Sequence, residues 1–356
     1  MWRALVVFGL IGLAGCAGGN GSMVGIVAPP SPTPTPTPGP GAPKVALTDM
    51  GSGTYLGFSG GLYPTASNSM PAPHHAAGLA RANAIHPVDT NGNPDPAGKY
   101  VLLSLGMSNT TQEWCSVPST LPCNSWTLMG QAAADPAVNH TQLAIANGAQ
   151  GGKSASFWVS PTLPDYDRVR DTVLTPQGLS EKQVQIVWMK VADPNPTVSL
   201  PNANANAYTL LTEEGQILRA LKTRYPNLAM VFVSSRIYAG YATGSLNPEP
   251  YAYESGFTAK WLVEAQINQI QNGTIDPHAG DVNYNTVAPW VGWGAYLWAN
   301  GATARSDGLI WVPSDFQSDF THPSQAGQTK VGNMLLNFFK TSPLTQCWFV
   351  VGGTCS

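Results

Sequence analysis

The sequence predicts an α/β domain, a parallel sheet with helices on both faces. Two observations carry the prediction. Short apolar runs of strand length alternate with longer segments of helical period. No period of 20–50 residues recurs, which argues against solenoids and propellers. With 356 residues, 43% of them hydrophobic, the chain can also build a large core.

In chain order the pattern predicts a strand at 100–105, a helix at 125–134, a strand at 142–146 and a helix at 165–174. A strand at 184–189, a helix at 208–224, a strand at 229–234 and a helix at 255–272 follow. A fifth strand within 287–297 and a last helix at 323–339 complete the set. Loops at 49–98, 236–254 and 273–309 are long, and rich in Gly, Asn and aromatic residues. Loops of that length are usually functional or disordered.

Composition points outside the cytoplasm. Only 10% of residues are charged, 37 are Gly, 31 are Pro and 11 are Trp. The formal net charge of −3 leaves no basic surplus for a phosphate backbone, so no nucleic-acid partner is expected. Arg3, the apolar run 4–13 and Leu13-Ala14-Gly15-Cys16 fit an export signal over 1–15, too short to span a bilayer. Leu-Ala-Gly-Cys resembles the lipobox of bacterial lipoproteins, which implies lipidation of Cys16 and a membrane anchor. Residues 16–44 then form a Pro/Thr/Gly-rich spacer with alternating prolines at 32–38, which favour polyproline II. The remaining 45–356 is read as one domain and a monomer.

Four more cysteines allow three pairings. The expected ones are Cys115–Cys123 and Cys347–Cys355, each closing a short loop. A zinc site would need closer spacing or flanking histidines, and these are lacking.

Ligands of parallel sheets gather at the carboxyl ends of the strands, so the residues after each strand come first. Ser108 follows the first strand and is a nucleophile candidate; a serine there equally serves as a helix cap. After the second strand, Asn147-Gly148-Ala149-Gln150-Gly151-Gly152 offers backbone N–H groups to an oxyanion, or simply makes a tight turn. Near the C-terminus, Asp319-Phe320-Thr321-His322-Pro323-Ser324 places a carboxylate three residues before an imidazole, able to fix its tautomer. Each alone has an ordinary structural reading, Asp319 as a helix cap and His322 as a solvated loop residue.

In this chain order the blocks resemble the SGNH (GDSL-type) hydrolases over about residues 98–341. The resemblance implies a flavodoxin-like three-layer α/β/α sandwich and a serine esterase mechanism without metal or other cofactor. It implies Ser108 as nucleophile, His322 as base, Asp319 as its orienter, and the N–H groups of Ser108 and Gly148 as oxyanion donors. Two blocks depart from the family pattern. Gly-Asp-Ser is here Gly106-Met107-Ser108, and the third-block Asn is replaced by Ala192. Losing one such donor costs about 10²–10³ in rate, so Lys190, Asn109 or Asn147 is expected to substitute. Lys190 and Arg236 are further expected to meet substrate. Trp290, Trp293 and Trp298, with Trp311 beyond them, are read as a substrate wall, although rows of aromatics are also simply core. Glu113 and Trp114 either contact substrate or frame the Cys115 loop, and His74-His75 is read as loop.

The expected function is an exported esterase acting on an O-acylated polysaccharide. The rivals are a non-catalytic polysaccharide-binding lipoprotein on the same scaffold and an acyltransferase.

Overall fold

A computed structural model describes residues 43–115 and 121–356. The expected export signal, Cys16 and all but the last two residues of the expected spacer lie outside the described residues. Strand β1 (Tyr100–Gly106) is the pivot of a five-stranded sheet. Its neighbours are β2 (Leu143–Asn147) on one side and β3 (Val184–Lys190) on the other, followed by β4 (Met230–Val233) and β5 (Trp290–Trp293). The order is β2-β1-β3-β4-β5 and every pairing is parallel. This is the doubly wound, flavodoxin-like arrangement, whose order reverses beside β1.

Side chains of a strand alternate between faces, and here both faces are buried. Val101, Leu103 and Leu105 pack with Leu210, Leu218, Phe257 and Val263, beneath α5 (Asn206–Arg224) and α6 (Tyr251–Asn272). Tyr100 and Leu102 face the opposite way, toward Leu128, Val331, Leu335 and Phe339. Those residues come from α3 (Leu128–Ala134) and α7 (Gln325–Thr341). The three layers follow directly from this alternation.

All five predicted strands are present within a few residues. One other expectation needs correction. The segment 49–98 is not one loop: it holds α1 (Ala72–Ala82), which carries His74 and His75. His74 is buried, stacks on Trp290 at 4.8 Å and bonds the Val291 carbonyl at 2.8 Å. Burial pushes its pKa down to about 4, so a neutral ring donates that bond. The helix at 165–174 is α4 (Pro164–Arg168) continued as a π-helical turn over Val169–Leu174. A further short helix, α2 (Ser108–Trp114), starts two residues past β1. Both predicted disulfides, Cys115–Cys123 and Cys347–Cys355, are formed.

Candidate active site

Gly106 ends β1 at φ +151, where an L side chain is strained. A Cβ there would meet the Lys190 carbonyl oxygen at 2.1 Å and Thr110 Oγ1 at 2.6 Å. The chain turns at this glycine and places Ser108 as the first residue of α2, half-buried.

Across from it, Asp319 and His322 sit in the loop before α7. Asp319 Oδ1 accepts from the backbone N–H of Thr321 and of His322, each at 3.0 Å, and so winds the loop around its own carboxylate. The loop is strained: Phe320 has φ +52. Asp319 Oδ2 lies 2.5 Å from His322 Nδ1, and His322 Nε2 lies 2.8 Å from Ser108 Oγ. With a proton on Nδ1, the free Nε2 accepts from the serine hydroxyl. Burial raises the Asp319 carboxyl, but the hydrogen bonds from the His322 ring and from the two N–H groups together hold it below its ordinary value. Asp319 is therefore not a helix cap; Ser324 caps α7, accepting from Gly327 N at 3.5 Å.

A pocket of about 250 Å³ opens on Ser108 and His322. Its wall comes from the carboxyl ends of four strands: Met107 to Asn109 after β1, Gly152 and Ser154 after β2, Ala192 to Pro194 after β3, then Arg236, Leu246 and Asn247 after β4. The long loop after β4, which ends at α6 (Tyr251), thus reaches the site.

Several expected site residues are placed differently. Lys190 lies beneath the pocket rather than in its wall: it is fully buried, and its Nζ donates to both Glu113 oxygens, Oε1 at 2.5 Å. Burial pushes Lys190 down to about 8 and Glu113 up, and their mutual attraction opposes both shifts. The pair ties β3 to α2, reinforced by the Thr110 Oγ1 bond to the Lys190 carbonyl at 2.6 Å. Glu113 therefore touches Lys190, and a role against substrate falls away. Asn147 has its amide committed, donating to Thr111 Oγ1 at 2.6 Å and accepting from Ser104 Oγ at 2.7 Å. Asn109 lines the pocket, yet its Nδ2 donates to the Thr321 carbonyl at 3.0 Å, clamping α2 to the Asp319–His322 loop.

Gly148 is not part of the pocket wall. A Cβ on it would strike the Ser104 carbonyl oxygen at 2.6 Å, so close packing on β1 requires that glycine. Gly152 is the glycine of this turn that reaches the pocket. Trp290, Trp293, Trp298 and Trp311 belong to the core and form no substrate wall; their indole N–H groups donate to His74 O, Leu62 O, Glu249 Oε1 and Leu297 O. Trp114 is core as well, stacked on Trp188 at 5.0 Å.

Replacing Lys190 by Met strands a buried carboxylate and is expected to cost about 3–5 kcal/mol of stability. Adding Glu113→Leu should recover most of that loss in urea denaturation. A double variant no better than the single one would contradict this account of the pair.

The sequence matches no protein-family model and no curated protein. Among solved structures it is similar to an extracellular lipase from Streptomyces rimosus, at 16% identity and TM-score 0.32, covering 66% of this chain and 99% of that one. It is also similar to a carbohydrate esterase family 2 enzyme with a carbohydrate-binding domain from Corynascus thermopiles (Myceliophthora fergusii), at 15% identity and TM-score 0.35, covering 68% and 66%. A third is phospholipase A1 from Streptomyces albidoflavus, at 13% identity and TM-score 0.31, covering 67% and 100%. Scores this low leave the reading of the site to its own geometry.

Proposed function

We propose that the protein is an ester hydrolase of the SGNH (GDSL-type) kind, working through an acyl-enzyme. The observation that carries this reading is the hydrogen-bonded chain from Asp319 through His322 to Ser108, opening into a pocket at the carboxyl ends of the strands. In this reading Ser108 Oγ attacks the ester carbonyl while its proton passes to His322 Nε2. The carbonyl oxygen takes up negative charge, and the N–H groups assigned to it are those of Ser108, at the start of α2, and Gly152. An N–H in the first turn of a helix has no intrahelical partner and is free to donate. The intermediate collapses, and His322 protonates the departing alcohol. Water, deprotonated by His322, then releases the acid and restores Ser108. Asp319 holds the ring in the tautomer this needs and stabilises the imidazolium.

The substrate assigned is an O-acylated polysaccharide outside the cell. Support comes from the two disulfides, which persist in oxidising compartments, and from the pattern of residues 3–16, which fits an export signal ending in a lipobox-like Leu-Ala-Gly-Cys. Pre-steady-state hydrolysis of 4-nitrophenyl acetate tests the mechanism. An initial burst of 4-nitrophenolate close to one equivalent per enzyme is expected if deacylation limits turnover. Absence of any turnover above buffer, on this ester and on acetylated polysaccharide, would refute the proposal.

A further inference from the structure

The wall of the Ser108–His322 pocket holds polar atoms that the fold leaves unused. Arg236 is only 2% exposed, and its Nε and Nη2 have no hydrogen-bond partner among the described residues. Asn247 is 6% exposed, and its Oδ1 is also unpartnered. Its amide orientation is fixed by Nδ2, which donates to the Asp193 carbonyl at 3.2 Å. Three of the seven buried side-chain polar atoms without a partner among the described residues therefore belong to two residues of one pocket. Buried polar groups are normally satisfied, so such a concentration asks for a ligand.

The carboxylates around Arg236 are committed elsewhere. Glu113 is held by Lys190. Glu249 accepts from Trp298 Nε1 at 2.7 Å and from the N–H groups of Ala239 and Tyr253. Asp319 holds His322. None of the three is hydrogen-bonded to Nε or Nη2 of Arg236. We propose that this pocket takes an O-acyl ester carried on a hydroxyl of a uronic acid unit, with the unit's free carboxylate paired to Arg236 and another of its hydroxyls donating to Asn247 Oδ1. This rests on the hydrolase reading of the same pocket and names its substrate class.

The geometry of the free atoms favours a carboxylate. Nε and Nη2 form one edge of the guanidinium fork, and that edge matches the two oxygens of a planar carboxylate. The pocket volume, about 250 Å³, falls below the roughly 300–1,000 Å³ of sites for drug-sized ligands and suits one sugar unit. Exposed Leu246 on the wall leaves room for a chain to continue outward.

Binding to Ser108→Ala by calorimetry tests this with methyl β-D-glucuronide and methyl β-D-glucoside, which differ only in the carboxylate. The glucuronide is expected to bind at least tenfold more tightly. Arg236→Gln in the same background should abolish the preference, and Arg236→Lys should restore part of it. Equal binding of the two glycosides, or a preference that survives Arg236→Gln, would overturn the inference. Turnover separates it from the reading beneath. The ratio of kcat/KM for O-acetylated glucuronide over O-acetylated glucoside should fall at least tenfold in Arg236→Gln, and an unchanged ratio counts against Arg236. If the wild type hydrolyses no ester while the glucuronide preference holds in Ser108→Ala, the pocket assignment stands and the hydrolase reading fails.

Discussion

Ser108→Ala is expected to lower kcat on 4-nitrophenyl acetate by about 10⁴–10⁶-fold. The substitution removes the atom that forms the acyl-enzyme, so His322 is left to activate water across a gap the hydroxyl used to fill. The remaining rate comes from the oxyanion donors and from binding. Stability should hardly change. Ser108 is half-buried, and its hydroxyl bonds His322 within a loop already closed by Asp319, so truncation opens no large cavity. A variant that keeps its thermal midpoint and more than a tenth of the wild-type kcat would contradict the role given to Ser108.

Asp319→Asn should cost about 10³–10⁴ in kcat with little change in KM. The amide oxygen can still accept from the N–H groups of Thr321 and His322, so the loop keeps its shape. Its NH₂ would then face His322 Nδ1 and donate to it, which moves the ring proton to Nε2. That tautomer cannot accept from Ser108. A purely structural Asp319 would instead show a lowered thermal midpoint with kcat preserved in the folded fraction. Because the carboxyl is held below its ordinary value, Asp319 stays ionised on the acid side of neutrality. Loss of activity between pH 5 and 7 is therefore not expected to come from this residue.

The sheet was legible because every central strand is a short run flanked by turn residues, with a helical segment between successive runs. Segment 72–82 reads as loop in the sequence because Pro71 and Pro73 flank its first residue and it carries two histidines. It is helical through the packing of His74 and Gly78 on Trp290, a tertiary cause that local pattern does not carry. Ser108, Asp319 and His322 stood out because each follows or precedes an element at a position where the fold must open a cleft. Lys190 misled for a physical reason. A charge that ends an apolar strand looks exposed until its partner, Glu113, is seen on the neighbouring helix. The tryptophans misled because a ring in an irregular segment reads the same whether it lines a groove or fills a core. Asn247 carries one usable signal, an asparagine before proline in a loop; its φ of +63 is a left-handed conformation that Asn tolerates better than most residues. Local pattern does not separate Gly152 from Gly148, since both stand in one glycine turn; the approach of Gly148 to Ser104 and the place of Gly152 in the pocket wall are tertiary facts.

The central claim is that Ser108 is an activated nucleophile. Labelling with a fluorophosphonate, followed by mass spectrometry of the digest, measures this directly. One phosphonyl adduct per chain is expected, located on Ser108, lost in Ser108→Ala and strongly slowed in Asp319→Asn. A folded wild-type protein that takes up no label, or an adduct on another residue that persists in Ser108→Ala, would contradict it.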